Sequence, residues 1–443
     1  MRRKISTLLL TTLLFLSFCT TAFAANLNEP NIVGKSAIVI DAKTGEIIYA
    51  KDVDASPMYP ASTTKLLTAL LLAENKKPTD MLTYTEGSLK QPEYTLRSFL
   101  KGKLKVGDTM SADDAMKGLL LHSANDIAYM IADNVGGSAE NFAKMMNDKV
   151  SQLGLKNTHF VTPNGLDNGI SNHYTSAYDL SIIGKAAYSN EWVRNTMNLK
   201  QSKLELSNGV LGYPTNRNKL LGTTLDSNFL SKLGNNSKET PASDAICIGG
   251  KTGYTTKAGR CLVAMFNKDN RVLIGVVMKS AYDKNDTYVF KDMSKIINFA
   301  YSQKQVPLYK ANTELKTLPI QYRPLRFFGP TKTINVPVTV KEDVTYYDNE
   351  LNKSQIKTEF ELSELSIGQL SKNTSVGKLV LKERGSNKSY DLYPTISSSS
   401  LVKDNIFLYL GTIVGTIVII ALIIGIFKFI SSKFRRKKNR RMF

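Results

Sequence analysis

The sequence predicts a mixed α/β (α+β) domain, then a small all-β domain, and finally a C-terminal transmembrane helix. Three observations support this fold class. Residues 25–305 alternate apolar strand patterns with helical patterns, which is typical of helices packed on a sheet. Residues 306–396 contain short alternating segments, which are typical of a small β domain. Residues 406–427 carry no charge and, as a helix of about 33 Å, are long enough to cross a bilayer.

The first domain is predicted to open with a hairpin and a helix. Residues 36–41 and 46–49 each contain an apolar run and flank a turn at Gly45, so we expect two paired strands. Pro60-Ala-Ser62 then opens a helix that runs to about Glu74, with leucines on one side. A polar stretch, residues 222–243, predicts a surface loop. The remaining elements are predicted to be helices over residues 112–134, 138–153, 177–188 and 288–302, and strands over residues 245–252, 260–266 and 272–279.

The second domain is predicted to be a small β-sandwich over residues 306–396. Its alternating segments contain no catalytic constellation. The serine-rich residues 397–405 predict a flexible linker before the membrane helix. The predicted strands cover residues 333–341, 344–347, 354–362 and 377–382.

Both ends of the chain predict export and membrane anchoring. Residues 1–24 combine a basic start, an apolar segment and the cleavage sequence Ala22-Phe23-Ala24, which is typical of a secretory signal peptide. Residues 428–443 hold eight basic and no acidic side chains, which favours a cytoplasmic tail. We therefore expect a single-pass protein of the cell membrane whose catalytic domain is extracellular.

The composition limits the expected partners. More than half of the formal net charge of +20 lies in the two end segments, so the charge does not predict nucleic-acid binding. The moderate remainder suits an anionic surface such as cell wall or lipid headgroups. Cys247 and Cys261 are expected to be free, buried thiols, because a domain of this size does not need a disulfide.

Three short motifs occur in order along the chain. They are Ser62-Thr63-Thr64-Lys65, Ser123-Ala124-Asn125 and Lys251-Thr252-Gly253. Each is weak alone, because Ser-x-x-Lys also occurs at Ser98/Lys101 and Lys-Thr-Gly also occurs at residues 43–45. Their context distinguishes them. Ser62 starts an apolar helix, and the spacing of three places Lys65 on the same face one turn later. Lys251 to Gly253 end an apolar strand.

The residue types in these motifs suit nucleophilic catalysis. A serine hydroxyl is a poor nucleophile until a base removes its proton. The three histidines, His122, His159 and His173, lie in no Ser/His/Asp context. A lysine can act as the base if burial or neighbouring cations lower its pKa, and Lys251 would give Lys65 a cationic neighbour.

The flanks of these motifs resemble the serine D-Ala-D-Ala carboxypeptidases of the low-molecular-mass penicillin-binding protein family. The resemblance extends over residues 36–302. It implies a penicillin-binding/β-lactamase-like transpeptidase fold and an acyl-enzyme that removes the terminal D-Ala from peptidoglycan stem peptides. It also implies β-lactam binding and no metal or other cofactor. The similar segments are residues 59–70, 157–167, 174–180 and 251–259.

The resemblance implies a role for each motif residue. Ser62 would be the nucleophile, Lys65 its general base, and Ser123 the proton relay to the leaving amine. The implied substrate-binding residues are Asn125 for a substrate amide, Lys251 and Thr252 for the terminal carboxylate, and Gly253 and Tyr254, with the N–H groups of Ser62 and Tyr254 forming the oxyanion hole. Asp179 matches a family aspartate near the cleft, and it equally fits a helix N-terminal residue that interacts with the helix dipole.

The sequence departs from this family in two places. Many relatives carry an arginine after the strand that corresponds to residues 272–279, whereas residues 280–286 here read Ser-Ala-Tyr-Asp-Lys-Asn-Asp. The substrate carboxylate is therefore expected to bind Lys251 and Thr252 alone or with another cation. Relatives often end in an amphipathic helix, whereas this chain ends in a predicted membrane span.

Other functions remain as alternatives. A DD-endopeptidase or transpeptidase uses the same residues, and the sequence does not separate it from a carboxypeptidase. A β-lactamase is less favoured, because class A enzymes carry Ser-Asp-Asn and a dedicated glutamate. Here Ala124 is the middle residue, and residues 160–179 hold Asp167 and Asp179 but no glutamate. A non-catalytic wall-binding protein would need a broken motif, and all three motifs are intact.

Overall fold

The computed structural model describes residues 29–234, 241–325, 329–362, 370–371 and 373–439. The chain divides into two compact units, Met1–Gln303 and Lys304–Phe443. The predicted signal peptide, residues 1–24, lies outside the described residues.

The first unit combines strands and helices as the sequence predicts. Its strands are β1 (Ser36–Asp41), β2 (Ile47–Lys51), β3 (Met81–Thr83), β4 (Thr109–Ser111), β5 (Leu204–Glu205), β6 (Leu211–Gly212), β7 (Ile246–Thr255), β8 (Gly259–Lys268) and β9 (Arg271–Ser280). Its helices are α1 (Lys65–Asn75), α2 (Glu86–Leu89), α3 (Leu96–Phe99), α4 (Ala112–Lys117), α5 (Asn125–Gly136), α6 (Ala139–Gln152), α7 (Ala177–Ser189), α8 (Glu191–Met197), α9 (Ser227–Lys232) and α10 (Tyr288–Ser302).

A five-stranded antiparallel sheet in the order β2-β1-β9-β8-β7 forms the centre of this unit. Its middle strands are apolar without alternation, which is typical of a sheet covered on both faces. Two small residues mark the contacts with the covering helices. Gly184 of α7 lies against Val263 on one face, and Gly275 on the other face lies against Met293 of α10. β7 forms one edge of the sheet, and residues near its end line the cavity in front of Ser62.

Helix α1 is buried along its first eight residues and crosses the interior of the unit. A 3₁₀ turn, Ala61–Thr64, precedes it, so Ser62 lies one turn before the helix proper. The single helix predicted over residues 112–134 is instead interrupted. A π turn, Gly118–His122, ends at Ser123, which adopts a left-handed backbone with φ +67°, and α5 begins at Asn125. The predicted surface loop over residues 222–243 contains α9, because Leu230 is buried there.

The second unit is rich in sheet. Its strands are β10 (Gln305–Tyr309), β11 (Lys316–Tyr322), β12 (Lys332–Thr339), β13 (Val344–Tyr347), β14 (Lys357–Leu362), β15 (Gly377–Glu383) and β16 (Ser386–Pro394), and its helices are α11 (Glu350–Gln355), α12 (Ser398–Asp404) and α13 (Ile406–Asn439). A five-stranded sheet in the order β11-β12-β16-β15-β14 and the pair β10-β13 share one apolar core.

The segment before the membrane helix is ordered rather than a free tether. Residues predicted as a linker form α12, and Leu401 is buried in a cluster with Tyr322 and Val336. The Asn405 amide donates to the Tyr322 hydroxyl at 2.8 Å and accepts from Lys332 at 2.7 Å. The buried Leu401 and these hydrogen bonds outweigh the polar, flexible composition on which the prediction depended. In α13, Ile406–Phe434 is long and apolar enough to cross a membrane, and it is the only such helix in the described ranges.

Candidate active site

The turn before α1 brings Ser62 and Lys65 into contact. The Lys65 side-chain nitrogen, Nζ, lies 2.8 Å from Ser62 Oγ, 2.8 Å from Asn125 Oδ1 and 2.7 Å from the carbonyl oxygen of Asn164. Asn125 is oriented by its own amide, which donates to the carbonyl of Glu93 at 2.8 Å. The Asn125 oxygen is therefore the atom that faces Lys65.

These partners suit Lys65 in its neutral form, which is the form that can remove a proton. Two of the three, the Asn125 and Asn164 oxygens, can only accept hydrogen bonds. A neutral amine has two N–H groups and one lone pair. If both N–H groups donate to the two amide oxygens, the lone pair faces the Ser62 hydroxyl. This arrangement suits removal of a proton from Ser62.

Burial and nearby cations act together on the two lysines. Burial, and then the charges of Lys251 and Arg217, lower the Lys65 pKa well below its usual range. Burial, and then Arg217, lower the Lys251 pKa to about 7. Both lysines are therefore far more easily deprotonated than an exposed lysine at neutral pH.

Ser123 contacts the second lysine, Lys251, from the opposite wall. Lys251 Nζ donates to Ser123 Oγ at 2.7 Å and to the backbone carbonyl of Thr252 at 2.8 Å. The left-handed backbone at Ser123 turns this hydroxyl out of the helical path and into the cleft. Ala61, which precedes Ser62, also has a positive φ, of 49°. Strained backbone of this kind costs free energy and is concentrated at functional sites.

The loop over residues 157–175 holds the nucleophile turn from behind. Gly165 has φ +83°, and a Cβ atom there would lie 1.9 Å from the carbonyl oxygen of Ala61. His173 Nδ1 accepts from the backbone N–H of Val161 at 3.0 Å, so its Nε2–H donates to Thr64 Oγ1 at 3.0 Å. Burial lowers the His173 pKa to about 3, which keeps this imidazole neutral. His173 therefore has a structural contact with the nucleophile turn rather than with Ser62.

The strand that carries Lys251 closes the site. A Cβ atom at Gly253 would lie 2.8 Å from the carbonyl oxygen of Pro60, so only a glycine lets β7 approach the nucleophile turn this closely. Tyr254, the next residue, lines the same cavity as Ser62 and Thr252.

The cavity in front of Ser62 has a volume of about 450 Å³. Its lining includes four residues that lie outside the three motifs: Glu93, Tyr94, Arg217 and Arg260. Arg217 lies over the Tyr94 ring at 5.0 Å, and Arg260 lies over the Tyr254 ring at 4.4 Å. Asn164, which lies in a segment similar to the family but in none of the three motifs, contributes its carbonyl to Lys65. No local pattern marks these residues, because their contacts join distant parts of the chain.

Asp179 and the cysteines lie outside the cavity lining. Asp179 accepts from the backbone N–H of Asn157 at 2.7 Å and from Thr158 Oγ1 at 2.8 Å, and so ties the loop to the first turn of α7. Cys247 and Cys261 are both free and buried, as predicted. Within the described residues, no group of histidine, cysteine or acidic side chains is arranged to hold a metal ion.

Comparisons with known proteins show what this chain is similar to. A family model described as D-alanyl-D-alanine carboxypeptidase (peptidase S11) matches residues 23–281. The chain is 29% identical to D-alanyl-D-alanine carboxypeptidase DacF of Bacillus subtilis (strain 168) over 87% of this chain and 91% of the relative. It is 28% identical to D-alanyl-D-alanine carboxypeptidase DacC of Escherichia coli (strain K12) over 88% and 90%. The crystal structure of penicillin binding protein 5 from Haemophilus influenzae matches with a TM-score of 0.53 and 25% identity, covering 83% of this chain and 98% of that chain.

Proposed function

The chain belongs to the D-alanyl-D-alanine carboxypeptidase family of serine peptidases, and on this premise we propose that it releases the terminal D-alanine of peptidoglycan stem peptides through an acyl-enzyme at Ser62. The contact of Lys65 Nζ with Ser62 Oγ at 2.8 Å is the observation that carries the proposal. Ser62 would also be acylated by β-lactam antibiotics, which likewise present a carbonyl and a carboxylate.

Acylation begins with transfer of the Ser62 proton to Lys65. Ser62 Oγ attacks the carbonyl between the two D-alanines, and a bond forms between that oxygen and the carbonyl carbon. The backbone N–H groups of Ser62 and Tyr254 stabilise the negative charge on the carbonyl oxygen. The proton passes through Ser123 to the amine of the departing D-alanine, and the C–N bond breaks. Lys251, hydrogen-bonded to Ser123 at 2.7 Å, supports this step.

Substrate binding uses the two walls of the cavity. Asn125 on one wall holds a substrate amide, while Lys251, Thr252 and Gly253 on the other wall hold the end of the peptide that bears the carboxylate. Water then attacks the acyl-enzyme, with Lys65 again accepting the proton, and the shortened stem peptide leaves. An amine in place of water would give the transpeptidase or endopeptidase reaction.

We extend the proposal to the arrangement of the whole chain. Residues 25–305 form the catalytic domain, residues 306–396 a β domain, and residues 406–427 a membrane span with a cytoplasmic tail over residues 428–443. This orientation rests on the uncharged helix and the basic residues that follow it. Alkaline carbonate should leave the full-length protein in the membrane, and its release would contradict the spanning anchor.

The chemistry is tested by labelling the protein with a fluorescent penicillin and mapping the adduct by peptide mass spectrometry. We expect label on Ser62, none in Ser62→Ala, and a loss of about 10²–10⁴-fold in Lys65→Ala. Ser98→Ala is the matched control, because Ser98 begins the other Ser-x-x-Lys sequence of this unit and lies exposed on α3. Label on another serine would refute the assignment.

The reaction type is tested with a pentapeptide stem. Free D-alanine as the product supports a carboxypeptidase. Cleavage of crosslinked muropeptides or transfer to an added amine, without release of D-alanine, would favour the endopeptidase or transpeptidase. Rapid penicillin turnover without peptide cleavage would favour a β-lactamase.

A further inference from the structure

Arg260 lies on β8, beside β7, the strand that carries Lys251, Thr252 and Gly253. It faces Tyr254 in the register of β7 and β8, two residues beyond Thr252. Side chains directly opposite each other in an antiparallel pair lie on one face, and so do residues two apart on a strand. Arg260 therefore shares a face with Tyr254 and Thr252. All three line the cavity.

The guanidinium of Arg260 contacts two tyrosine rings and one carboxylate. Its ring neighbours are Tyr254 at 4.4 Å and Tyr282 at 4.9 Å, and the two tyrosine rings lie 5.4 Å apart. Its Nε lies 2.6 Å from Asp286 Oδ1, and 20% of the side chain is exposed. A guanidinium carries five N–H donors in a planar fork. Among the described residues, Nε is the only nitrogen of this guanidinium in an ion pair, which leaves the terminal nitrogens able to bind a planar anion in the cavity.

The permanent positive charge in the cavity lining comes from arginine. The Lys251 pKa of about 7, which results from burial and then from Arg217, leaves that side chain only partly protonated at neutral pH. A guanidinium remains charged at every physiological pH. Glu93 is the one acidic residue among the described side chains that line the cavity.

The loop after β9 explains how Arg260 comes to be there. Residues 280–286 contain no arginine, but they supply Tyr282 and Asp286, both of which hold Arg260. The register of β8 and β9 places Arg260 opposite Ser280, the last residue of β9. β8 thus places the Arg260 cation beside the start of the loop that follows β9.

Arg217 has a different position. It precedes β7 in the chain and lies over Tyr94, whose backbone carbonyl accepts from the N–H of Asn125 at 2.9 Å. Arg217 therefore borders the wall that carries Asn125, and it acts on Lys251 through its charge.

We propose that Arg260, together with Thr252, binds the terminal carboxylate of the substrate and makes the enzyme selective for peptides that end in a free acid. The inference rests on the proposed function, since it names the residue that recognises one end of the same substrate. The clamp formed by Tyr254, Tyr282 and Asp286 presets the guanidinium, so that binding the carboxylate costs little ordering of the side chain.

The test compares two peptides that differ at one group, a D-Ala-D-Ala stem with a free carboxylate and the same stem as the C-terminal amide. The detergent-solubilised full-length protein is used, and kcat/KM is measured for release of the last residue. Arg260→Gln is expected to lower kcat/KM for the free acid about 10- to 100-fold, as for loss of a hydrogen bond to a charged group. The rate with the amide should not change. Asp286→Asn, which keeps the guanidinium but loosens the clamp, should give a smaller loss on the free acid alone.

Lys219→Gln is the matched control, because Lys219 also approaches Asp286, at 3.6 Å, but does not line the cavity. It should retain the preference for the free acid. An equal loss on both peptides in Arg260→Gln would show a structural role and overturn the inference, as would an unchanged preference. If the wild-type protein releases no D-alanine, the proposed function fails. The role of Arg260 is then tested by acylation with a labelled penicillin and with its methyl ester. A loss of rate in Arg260→Gln with the free acid alone supports the inference, and an equal loss with both compounds overturns it.

Discussion

Replacing Gly165 by alanine should disable the nucleophile without touching any residue of the three motifs. The new Cβ would lie 1.9 Å from the carbonyl oxygen of Ala61 and 2.8 Å from Thr64 Oγ1, whereas ordinary contacts begin near 3.4 Å. The loop and the turn that carries Ser62 must therefore separate by about 1.5 Å at their closest point. The same movement would pull the Asn164 carbonyl away from Lys65, since Asn164 is the preceding residue.

The expected losses of acylation rate and of stability have separate physical causes. A displacement of about 1 Å at reacting atoms costs roughly 100-fold in rate, so acylation of Ser62 should fall by at least about that factor. An alanine with a left-handed backbone costs about 1–2 kcal/mol, and forcing a methyl group into a packed site adds about 1–3 kcal/mol. The free energy of unfolding should fall by about 2–5 kcal/mol.

Gly169→Ala provides the matched control in the same loop. Gly169 has φ +71°, and a Cβ atom there would meet nothing within 4 Å. This variant should lose about 1–2 kcal/mol of stability through its backbone and keep the wild-type acylation rate. Acylation is measured by stopped-flow with a fluorescent penicillin, and unfolding by urea through the fluorescence of Trp192, the one tryptophan of the chain. If Gly165→Ala acylates as fast as Gly169→Ala, the contact with Ala61 does not position Ser62, and the reasoning is wrong.

Three further predictions concern charge and the membrane-proximal segment. Because the folded Lys251 pKa of about 7 lies below its usual 10.5, the unfolded chain binds more protons than the folded chain between these two pH values. The free energy of unfolding of the wild type should therefore rise by at most about 5 kcal/mol from pH 7 to pH 10.5. The stability advantage of Lys251→Met over the wild type should shrink by the same amount in urea unfolding. Acylation by penicillin should decline as the pH falls and Lys65 becomes protonated, and Lys65→Arg, which stays charged, should not form the adduct at any pH on a labelled gel. Truncation after Asn405 should release a soluble, active protein, whereas truncation after Ser400 removes Leu401 and Asn405 from their packed cluster and should lower the unfolding temperature of the second unit in calorimetry.

The sequence by itself predicted most of the first unit because its elements are marked by local patterns. The helix expected over residues 288–302 has the same bounds as α10, and the strands around Gly45 pair as expected. The fold class and the family were also predicted correctly, since the motif flanks are short and contiguous. The proximity of Ser62 and Lys65 was expected for a similar reason, since three residues span less than one helical turn.

Tertiary structure determined the conformation in two places where the local pattern predicted a different one. The apolar periodicity over residues 112–134 is that of one helix, yet the chain breaks at Ser123, whose hydroxyl meets Lys251 from 128 residues away. The serine-rich segment after residue 396 has the composition of a linker, yet Leu401 finds an apolar cluster and forms part of a helix. In both places, contacts with distant residues offset the local preference of the backbone.

The sequence predicted Lys251 as a cationic neighbour of Lys65, but the rest of the charge environment of the site was outside its reach. Asn125 lies 60 residues from Lys65, the Asn164 carbonyl lies 99 residues away, and neither is placed beside the lysine by any spacing rule. Arg217 and Arg260 enter the cavity from separate segments, and no pattern around them differs from that of a surface arginine. A motif records which chemical groups are present, but the pKa of a lysine and the position of a guanidinium depend on burial and on charges a few ångströms away. Those neighbours are determined only when the chain folds.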